Sequence, residues 1–369
     1  MSLRYIVFPI ILLIFIAICE YTIYRVFNQL EFFKYKYIKN IFITLEIILP
    51  IIFMGAMVYG TKHFSIINSY LYTIGGVWLG LLAYVLAVSV ILALFILINS
   101  YGNFNLPLKQ IAVGLILLAI ITVLYGINHA VNPKVVKFEV TSPVLSPLWK
   151  GKKIIIVSDI HLGIIYREKF MKKIVNIINK EKPDIIFNLG DIIDGPSFPY
   201  EKGFAPLYEL KPSLGNYYVE GNHETYSAEY PVFKSYFPKN INDLTGKKLL
   251  VNGTQIIGIP YSMLRATGDI QKELDKVSYD KQVPSIILLH EPKDIKTLAD
   301  NNVSLVLSGH THSGQFFPVT MLVNWIYGKY NHGVTYTENT ASLTTSGVGT
   351  AVTPMRIGTD SEIVVLKIH

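Results

Sequence analysis

The sequence SDIHLG at residues 158–163 directly follows IIIV at residues 154–157, a short apolar run of β-branched side chains. Such a run predicts a buried strand, so the polar residues after it lie at the carboxyl end of that strand. Asp159 and His161 are two positions apart. Because side chains of an extended segment alternate between its two faces, both should point the same way. The stretch predicts a strand end that presents a carboxylate and an imidazole together.

Four more polar motifs stand after, or just beyond, apolar β-branched runs farther along the chain. They are GDIID at 190–194, GNHE at 221–224, LLHEP at 288–292 and GHTH at 309–312. A sheet presents the ends of several strands at one point in space, so it can gather motifs that are distant in sequence. Glycine at positions 190, 221 and 309 permits tight turns in which the backbone comes close to a ligand. We expect all five motifs to form one site.

The side chains in these motifs are typical metal ligands. Five of the nine histidines fall in the motifs, namely His161, His223, His290, His310 and His312. Imidazole together with carboxylate and amide oxygen favours zinc, manganese or iron, whereas calcium or magnesium prefers oxygen alone. The only cysteine, Cys19, lies in an apolar segment, so a structural zinc site with thiolate ligands is not expected.

In this order, D-x-H, GDxxD, GNHE, a lone His and GHxH resemble the motifs of the calcineurin-like metallophosphoesterase family. The resemblance covers about residues 154–312, and SDIHLG, HEP and GHTH are more similar to a bacterial membrane-associated branch. It implies an α/β (α+β) fold in which two mixed β-sheets pack face to face, with helices outside and a two-metal site at one edge. Ser313 departs from the family pattern, which has Gly there.

The resemblance also implies which residues hold the two divalent cations, whether manganese, iron or zinc. The first cation would be bound by Asp159, His161 and His312. The second cation would be bound by Asn222, His290 and His310. Asp191 would bridge the two cations.

Other residues near the motifs have roles without a metal. His223 corresponds to the family's histidine that contacts the phosphate and helps the leaving oxygen depart. Asp194 would either support the site from a second layer or cap a loop or helix. Glu224 is more often structural than catalytic in the family. Arg356 and His332 lie in a tail segment that either reaches the phosphate or lies at the surface.

The expected reaction is hydrolysis of a phosphoric ester, by a phosphodiesterase or a phosphatase. Two cations about 3.5–4 Å apart can hold the non-bridging oxygens and generate a hydroxide that attacks phosphorus in line. A lipid- or nucleotide-linked pyrophosphatase would share this metal core. A non-catalytic scaffold is the alternative of a different class, and it is disfavoured because all eight metal and phosphate positions are filled.

The substrate class depends on the walls of the site, for which residues 196–206 and 316–336 are the candidates. Both are rich in aromatic residues and poor in charge, which favours a lipid- or nucleotide-linked ester over a highly anionic one. The net charge of +7 gives no reason to expect nucleic-acid binding, because residues 131–369 hold 26 of the 33 basic and 23 of the 26 acidic residues. No protein partner is predicted.

The first 130 residues differ in composition from the rest of the chain. They hold seven Lys or Arg, three Glu and no Asp, and they raise the mean hydropathy of the chain to +0.40. Apolar runs at 5–24, 41–59, 70–98 and 111–127 are long enough for four membrane spans. We therefore predict a four-span transmembrane region at 1–130, a linker with an entry strand at 131–150 and the metallophosphoesterase domain at 151–369.

The orientation of the spans follows from their flanking charges. Arg25 and three lysines at 34, 36 and 39 crowd the first loop, so the positive-inside rule makes that loop cytoplasmic. The catalytic domain is then outside the cytoplasm, at the cell membrane. Glu20 and Glu46 lie inside apolar runs, where carboxylates are often functional. Snorkelling toward Arg25 or Lys39 is the simpler interpretation, and the spans are interpreted as a lipid-embedded anchor.

Local patterns in the second part predict further elements. Apolar residues at the 3.6-residue period predict a helix at 167–180, between strands at 154–157 and 185–189. Asn252-Gly253 between apolar arms predicts a type I′ hairpin. Helices are predicted at 267–277 and 292–299, and closing strands at 341–345 and 362–368.

Overall fold

The computed structural model describes residues 4–60, 64–102, 104–142, 145, 147–194, 199–226, 230–263 and 268–369. Of the predicted wall 196–206, residues 196–198 lie outside the described residues, as does residue 267 of one predicted helix. The chain divides into two compact units. A helical unit comprises Met1–Ile127 with Val352–Met355, and an α/β unit comprises Asn128–Ala351 with Arg356–His369.

Four long helices form the N-terminal part of the chain. They are α1 (Arg4–Phe27), α2 (Lys36–Gly60), α3 (Ile66–Gly102) and α4 (Leu108–Ala130). Each predicted apolar run falls inside one of them. By length and composition all four are able to cross a bilayer, which needs about 20 apolar residues.

The two glutamates inside apolar runs contact each other. The side chains of Glu20 on α1 and Glu46 on α2 are joined by a hydrogen bond. Arg25 donates to a tyrosine hydroxyl one turn away, and Lys39 donates to Asn28 Oδ1 at 3.2 Å. The expected approach of these glutamates to Arg25 or Lys39 is therefore not what the structure shows.

The α/β unit is built on fourteen described strands and seven described α-helices. The strands are β1 (Lys134–Val140), β2 (Ile154–Val157), β3 (Leu162–Gly163), β4 (Ile185–Asn188), β5 (Ile193–Asp194), β6 (Asn216–Tyr218), β7 (Asn242–Asp243), β8 (Lys247–Val251), β9 (Thr254–Ile259), β10 (Ser285–Leu289), β11 (Leu305–Ser308), β12 (Gly333–Thr337), β13 (Thr340–Thr344) and β14 (Glu362–Ile368). The helices are α5 (Glu168–Glu181), α6 (Tyr200–Phe204), α7 (Asn222–Tyr226), α8 (Tyr230–Tyr236), α9 (Ile270–Lys276), α10 (Ile295–Asp300) and α11 (Val319–Tyr327).

The strands form two mixed six-stranded sheets, as expected, and a small pair β3-β5. The first sheet has the order β1-β14-β2-β4-β6-β7, and the second has the order β12-β13-β11-β10-β9-β8. In the first sheet β14 and β2 are antiparallel, while β2, β4 and β6 run parallel. In the second, β9, β10, β11 and β13 run parallel, with antiparallel strands at both edges. Consequently the carboxyl ends of β2, β4 and β6 share one edge, and those of β10 and β11 share another.

The period of two in each strand determines what its residues pack against. On β2, Ile154 and Ile156 join a buried cluster that includes Ile256 and Leu305 of the second sheet, so the two sheets pack face to face. The alternate residue Ile155 joins a second cluster, which contains the apolar face of α5. Burying an aliphatic side chain of this size contributes about 1.5–3 kcal/mol. The continuous apolar runs of the sequence therefore correspond to strands covered on both faces.

The local predictions hold with shifted boundaries. Asn252 and Gly253 have φ angles of 48° and 68° and join β8 to β9, which is the type I′ geometry predicted. The predicted helix at 167–180 is α5, and the predicted closing strands are β13 and β14. Helix α11 and strand β12 were not predicted. Both lie in the segment that was considered only as an aromatic wall.

Candidate metal centre

Seven predicted ligands are carried by the segments that follow five strands. Asp159 and His161 follow β2, Asp191 follows β4 and Asn222 begins α7 after β6. His290 follows β10, and both His310 and His312 follow β11. The first four therefore come from the first sheet and the last three from the second. The face-to-face packing of the sheets brings these two groups together.

One group of ligand atoms contains Asp159, His161 and His312. The Nε2 atoms of the two imidazoles are 3.1 Å apart. Asp159 Oδ1 is 3.6 Å from His312 Nε2 and 4.0 Å from His161 Nε2. Among the described residues, Asp159 Oδ1 is buried and has no hydrogen-bond partner. Three buried electron-pair donors that face one another in this way suit a cation.

A second group contains Asp191, His290 and His310, with Asn222 beside them. His290 Nε2 is 3.1 Å from Asn222 Oδ1, 3.2 Å from Asp191 Oδ2 and 3.2 Å from His310 Nδ1. His290 Nδ1 donates to the carbonyl oxygen of Leu189 at 2.6 Å. A carbonyl oxygen only accepts, so the hydrogen that stays on the ring when His290 binds a metal is the one on Nδ1, and Nε2 then presents its lone pair. These donors also fit a divalent cation.

Asp191 lies within reach of both groups. Its Oδ2 atom is 3.2 Å from His290 Nε2 and 4.0 Å from His161 Nε2. Its Oδ1 atom accepts the backbone N–H of His223 at 2.9 Å. Burial alone would raise the pKa of Asp191, but His290 and His223 bring it well below its ordinary value. The carboxylate is therefore ionised and placed to be shared.

The backbone around the ligands is held in unusual conformations. Positive φ angles occur at five ligands, namely Asp159, His161, Asp191, His310 and His312. Non-glycine residues rarely adopt this region, and clusters of them mark functional sites. Ser313, which stands where the family has Gly, is also left-handed, with φ 50° and ψ 26°. The departure from the family pattern thus keeps the backbone conformation that a glycine would favour.

Two of the motif glycines are required by close packing. A Cβ on Gly221 would lie 2.2 Å from Asp191 Oδ1, and a Cβ on Gly309 would lie 2.0 Å from Ser158 Oγ. Real Cβ atoms do not approach other atoms so closely. Any larger side chain at these two positions would displace the ligand loops.

Glu224 connects two of these loops. Its buried carboxylate accepts the backbone N–H groups of Asp191, Ile192 and Ile193 at 2.9, 2.6 and 3.2 Å, and that of Gly221 at 2.8 Å. Burial, followed by the nearby Asp191, raises the pKa of Glu224 to about 7. The contact to Gly221 spans three residues at the start of α7, which is the spacing of a capping box. The structural role that the family resemblance implied for Glu224 thus corresponds to hydrogen bonds that hold the two loops together.

His223 and Asp194 form a pair beside the ligands. His223 Nδ1 is 3.0 Å from Asp194 Oδ1, and its ring lies edge-on to His161 with the ring centroids 4.6 Å apart. Burial alone would lower the pKa of His223, but Asp191 and Asp194 raise it to about 10. This contact to His223 favours the supporting role for Asp194 over that of a loop or helix cap.

Arg356 lies in neither of the places considered for it. The side chain is fully buried and donates to the carbonyl oxygens of Ser346, Gly347 and Gly349. Its Nη2 atom is 3.3 Å from His312 Nδ1. Burial, with His161 and Arg356 acting against Asp159, holds the pKa of His312 well below its ordinary value. Arg356 therefore supports a ligand from behind and helps to keep it neutral.

His332 is not among the ligand groups of the described residues. Its Nε2 atom is 3.1 Å from both carboxylate oxygens of Glu362 at the start of β14. Burial alone would lower the pKa of His332, but Glu362 raises it. This pair joins the end of the chain to the segment before β12.

Comparisons with known proteins give one family. The sequence profile of the Calcineurin-like phosphoesterase family matches residues 152–314. An uncharacterized metallophosphoesterase of Helicobacter pylori is 32% identical over 239 residues, which cover 63% of this chain and 64% of that protein. One from Campylobacter jejuni is 31% identical over 283 residues, 72% of each chain. A transmembrane protein with metallophosphoesterase domain of Danio rerio is 31% identical over 277 residues, 70% of this chain and 63% of that protein.

These alignments locate the similarity within the chain. Residues 152–314 contain every predicted metal ligand and His223, whereas Arg356 lies beyond them. The chain spans just under two thirds of the length of the Helicobacter and Danio relatives. The Danio relative is described as a transmembrane protein, in keeping with the four long apolar helices found here.

Proposed function

The chain belongs to the calcineurin-like phosphoesterase family, and we propose that it is a membrane-anchored hydrolase of phosphate esters that uses two divalent metal ions. The observation that carries this proposal is the convergence of seven ligand side chains from both sheets. In each half of the centre, buried donor atoms face one another at 3.1–3.2 Å. Such a concentration of lone pairs is unfavourable unless a cation or a proton lies between them.

The geometry supports the assignment of the ligands to two cations. Asp159, His161 and His312 hold the first, and Asn222, His290 and His310 hold the second. Asp191 is shared, since it lies near ligands of both halves. Imidazole, amide and carboxylate donors without thiolate fit manganese, iron or zinc. The chemistry that two such cations supply when bound is Lewis acidity toward the phosphoryl oxygens and a lower pKa for water.

His223 acts on the substrate and holds no metal in this proposal. Its Nδ1 atom faces Asp194, which orients the ring. We assign Nε2 to the phosphate and to the oxygen that departs. A histidine with a pKa of about 10 is protonated at neutral pH, so it can stabilise the negative charge that develops and donate a proton to the leaving oxygen. Asp194 is then a positioning residue.

The test is a metal-dependent activity screen of the full chain purified in detergent. The protein is stripped with a chelator and reloaded with manganese, iron or zinc. It is then assayed against a phosphomonoester, a phosphodiester and a lipid pyrophosphate. We expect hydrolysis that depends on metal and approaches a maximum at two equivalents. A chain that binds two equivalents and hydrolyses none of the three substrates would contradict the proposal and leave the family assignment intact.

We place the α/β unit on the outer side of the cell membrane, because basic residues crowd the loop between α1 and α2. Proteolysis of the linker near Pro147 would report poorly on this, because Pro147 begins a short helix that ends at the buried Trp149. The C-terminal His369 is exposed, with 57% of its side chain accessible. An epitope added there should be labelled on intact cells, whereas labelling only after permeabilisation would reverse the orientation.

A further inference from the structure

Helix α11 has an apolar face that its own domain leaves uncovered. Met321, Leu322, Trp325 and Ile326 are 64%, 55%, 81% and 56% exposed. No residue of the helix is buried. Thr320, Met321 and Asn324 line a cavity of about 440 Å³, whose lining also includes the buried Ser313 and Ser346. Thr320, Val323 and Tyr327 are half-buried and face the domain, so the helix leaves its other, largely apolar side toward the solvent, unlike the usual helix of a water-soluble domain.

The helix is also fixed directly to the metal centre. At its amino end, a Cβ on Gly314 would lie 2.5 Å from the Cα atom of Thr320, so the turn after His312 and the start of the helix are in close contact. At its carboxyl end, the Tyr327 hydroxyl donates to Glu291 Oε1 at 3.2 Å, and its ring lies 6.3 Å from that of His310. A surface that covers the apolar face of α11 would therefore lie next to the metal ligands.

The chemistry of this face matches the interfacial region of a bilayer. Asp, Glu, Lys and Arg are all absent from residues 309–328, and Lys329 follows immediately. Trp and Tyr prefer the membrane interface, and a lysine at the edge can reach the lipid headgroups. Only residues 131–133 separate α4 from β1. A bilayer crossed by α4 is consequently within a short length of chain of the α/β unit.

From this geometry we propose that the exposed face of α11 docks on the lipid bilayer surface and so presents the metal centre to phosphate groups carried by bilayer lipids. The docking itself requires only the lipid surface. The choice of lipid phosphates as substrates rests on the phosphoesterase function proposed above. A second copy of the chain could cover the same face, and the test distinguishes this outcome from docking on lipid.

Tryptophan fluorescence of the full chain tests the docking, because the sequence contains only three tryptophans. Trp78 lies in the apolar helix α3 and is replaced by Phe in every sample. Trp149 is fully buried in the α/β unit and donates to Thr254 Oγ1, so it is an internal reference. Trp325 is the reporter. The protein is reconstituted in phosphatidylcholine vesicles whose acyl chains are brominated near the headgroup or near the chain end.

We expect the Trp325 emission to be shifted to the blue and quenched, more strongly by bromine near the headgroup. Trp325→Phe should remove the quenched component and leave that of Trp149. As a matched control, Leu250→Trp in the Trp325→Phe background places the reporter on the exposed strand β8, where Leu250 is 64% exposed. This reporter should keep the emission of an indole in water, without quenching.

Two results would overturn the proposal. If Trp325 emits at the wavelength of an indole in water and is not quenched, the apolar face stays in solvent. Blue-shifted emission without quenching would mean that protein covers it, as in a dimer. Both results are independent of hydrolysis, so failure of the docking and failure of the phosphoesterase function are distinguishable.

Discussion

The two halves of the metal centre use the sheets in opposite proportions. The first half takes two ligands, Asp159 and His161, from the end of β2 and one, His312, from the second sheet. The second half takes Asn222 from the first sheet and two histidines, at 290 and 310, from the second. With the shared Asp191 of the first sheet included, each half of the proposed centre still draws ligands from both sheets, so metal binding and the docking of the two sheets should stabilise each other.

The halves also differ in what supports their histidines. Behind His312 lies the buried guanidinium of Arg356, whereas behind His290 lies the backbone carbonyl of Leu189. A charged support disfavours a protonated ligand. A carbonyl fixes the tautomer and adds no net charge. Burial alone would lower the pKa of His290, but Asp191 raises it to about 10, opposite in direction to the shift at His312. The two halves therefore have the same number of ligands but differ in the electrostatic environment of their histidines.

Removing the shared ligand should affect both halves at once. Asp191→Ala is expected to lose at least one equivalent of metal and nearly all turnover, since two cations cannot be held close together without an anion between them. Metal content by mass spectrometry and turnover of a diester measure this. The variant should not be rescued by an ester with a better leaving group. A fully active variant would show that the halves do not share Asp191.

Removing one ligand from each half should separate the halves. His312→Ala and His290→Ala are each expected to lose about one equivalent of metal while the other half stays filled. Because protonated His290 must release its proton to a metal, filling of the second half should fall more steeply as the pH drops. Metal titrations of the two variants at several pH values give the comparison. Identical pH profiles would remove the electrostatic difference between the halves.

Removing His223 should leave both halves filled. His223→Ala is expected to keep two equivalents of metal and to lose on the order of 10²–10⁴ in rate, the usual size of a general-acid contribution. An ester with a leaving group of low pKa should restore part of that rate. Asp194→Asn should give a smaller loss in the same direction, because it only orients the ring. Loss of metal from His223→Ala would make the residue a ligand.

The contrast between these residues shows what the sequence could supply. Each ligand follows an apolar β-branched run, so its placement at a strand end was predictable from local pattern alone. Arg356 follows no such run. It donates to backbone carbonyls seven and ten residues earlier, but His312 lies 44 residues away. Only the tertiary fold brings Arg356 behind His312. Its burial was therefore not predictable.

The same limit applies to the fold. The type I′ turn at Asn252 was predictable because two adjacent residues determine it. The order of strands in each sheet is determined by contacts between distant residues, and it came only from the resemblance and then the structure. Helix α11 was not predicted because its sequence lacks the polar outer face expected of a helix in a soluble domain. Its apolar residues were therefore interpreted as a wall of the site.

A milder change should weaken the first half alone. Arg356→Lys keeps the charge but loses the planar guanidinium, whose Nη2 atom donates to the carbonyl oxygens of Ser346, Gly347 and Gly349 and whose Nε atom donates to Gly349. We expect the unfolding free energy to fall by about 1–3 kcal/mol. We also expect the affinity of one metal equivalent to fall by about 10–100-fold, the usual effect of a residue behind a ligand. Two sequential binding constants from calorimetry report this. A fall in both constants would contradict a support specific to His312.

Deleting the N-terminal residues 1–127 should change neither half, because every ligand lies in the α/β unit. A fragment from Pro133 to His369 and a longer one from Asn128 should both be soluble and bind two equivalents of metal. The longer fragment keeps the His129–Asp360 pair, with Nε2 2.5 Å from Oδ1. Asp360 is partly exposed and also pairs with Lys134, so this contact should add less than about 1 kcal/mol of stability. Thermal unfolding with bound metal measures the difference. A fragment that loses one equivalent would show that the helices support one half, and aggregation of both would show that the α/β unit does not fold alone.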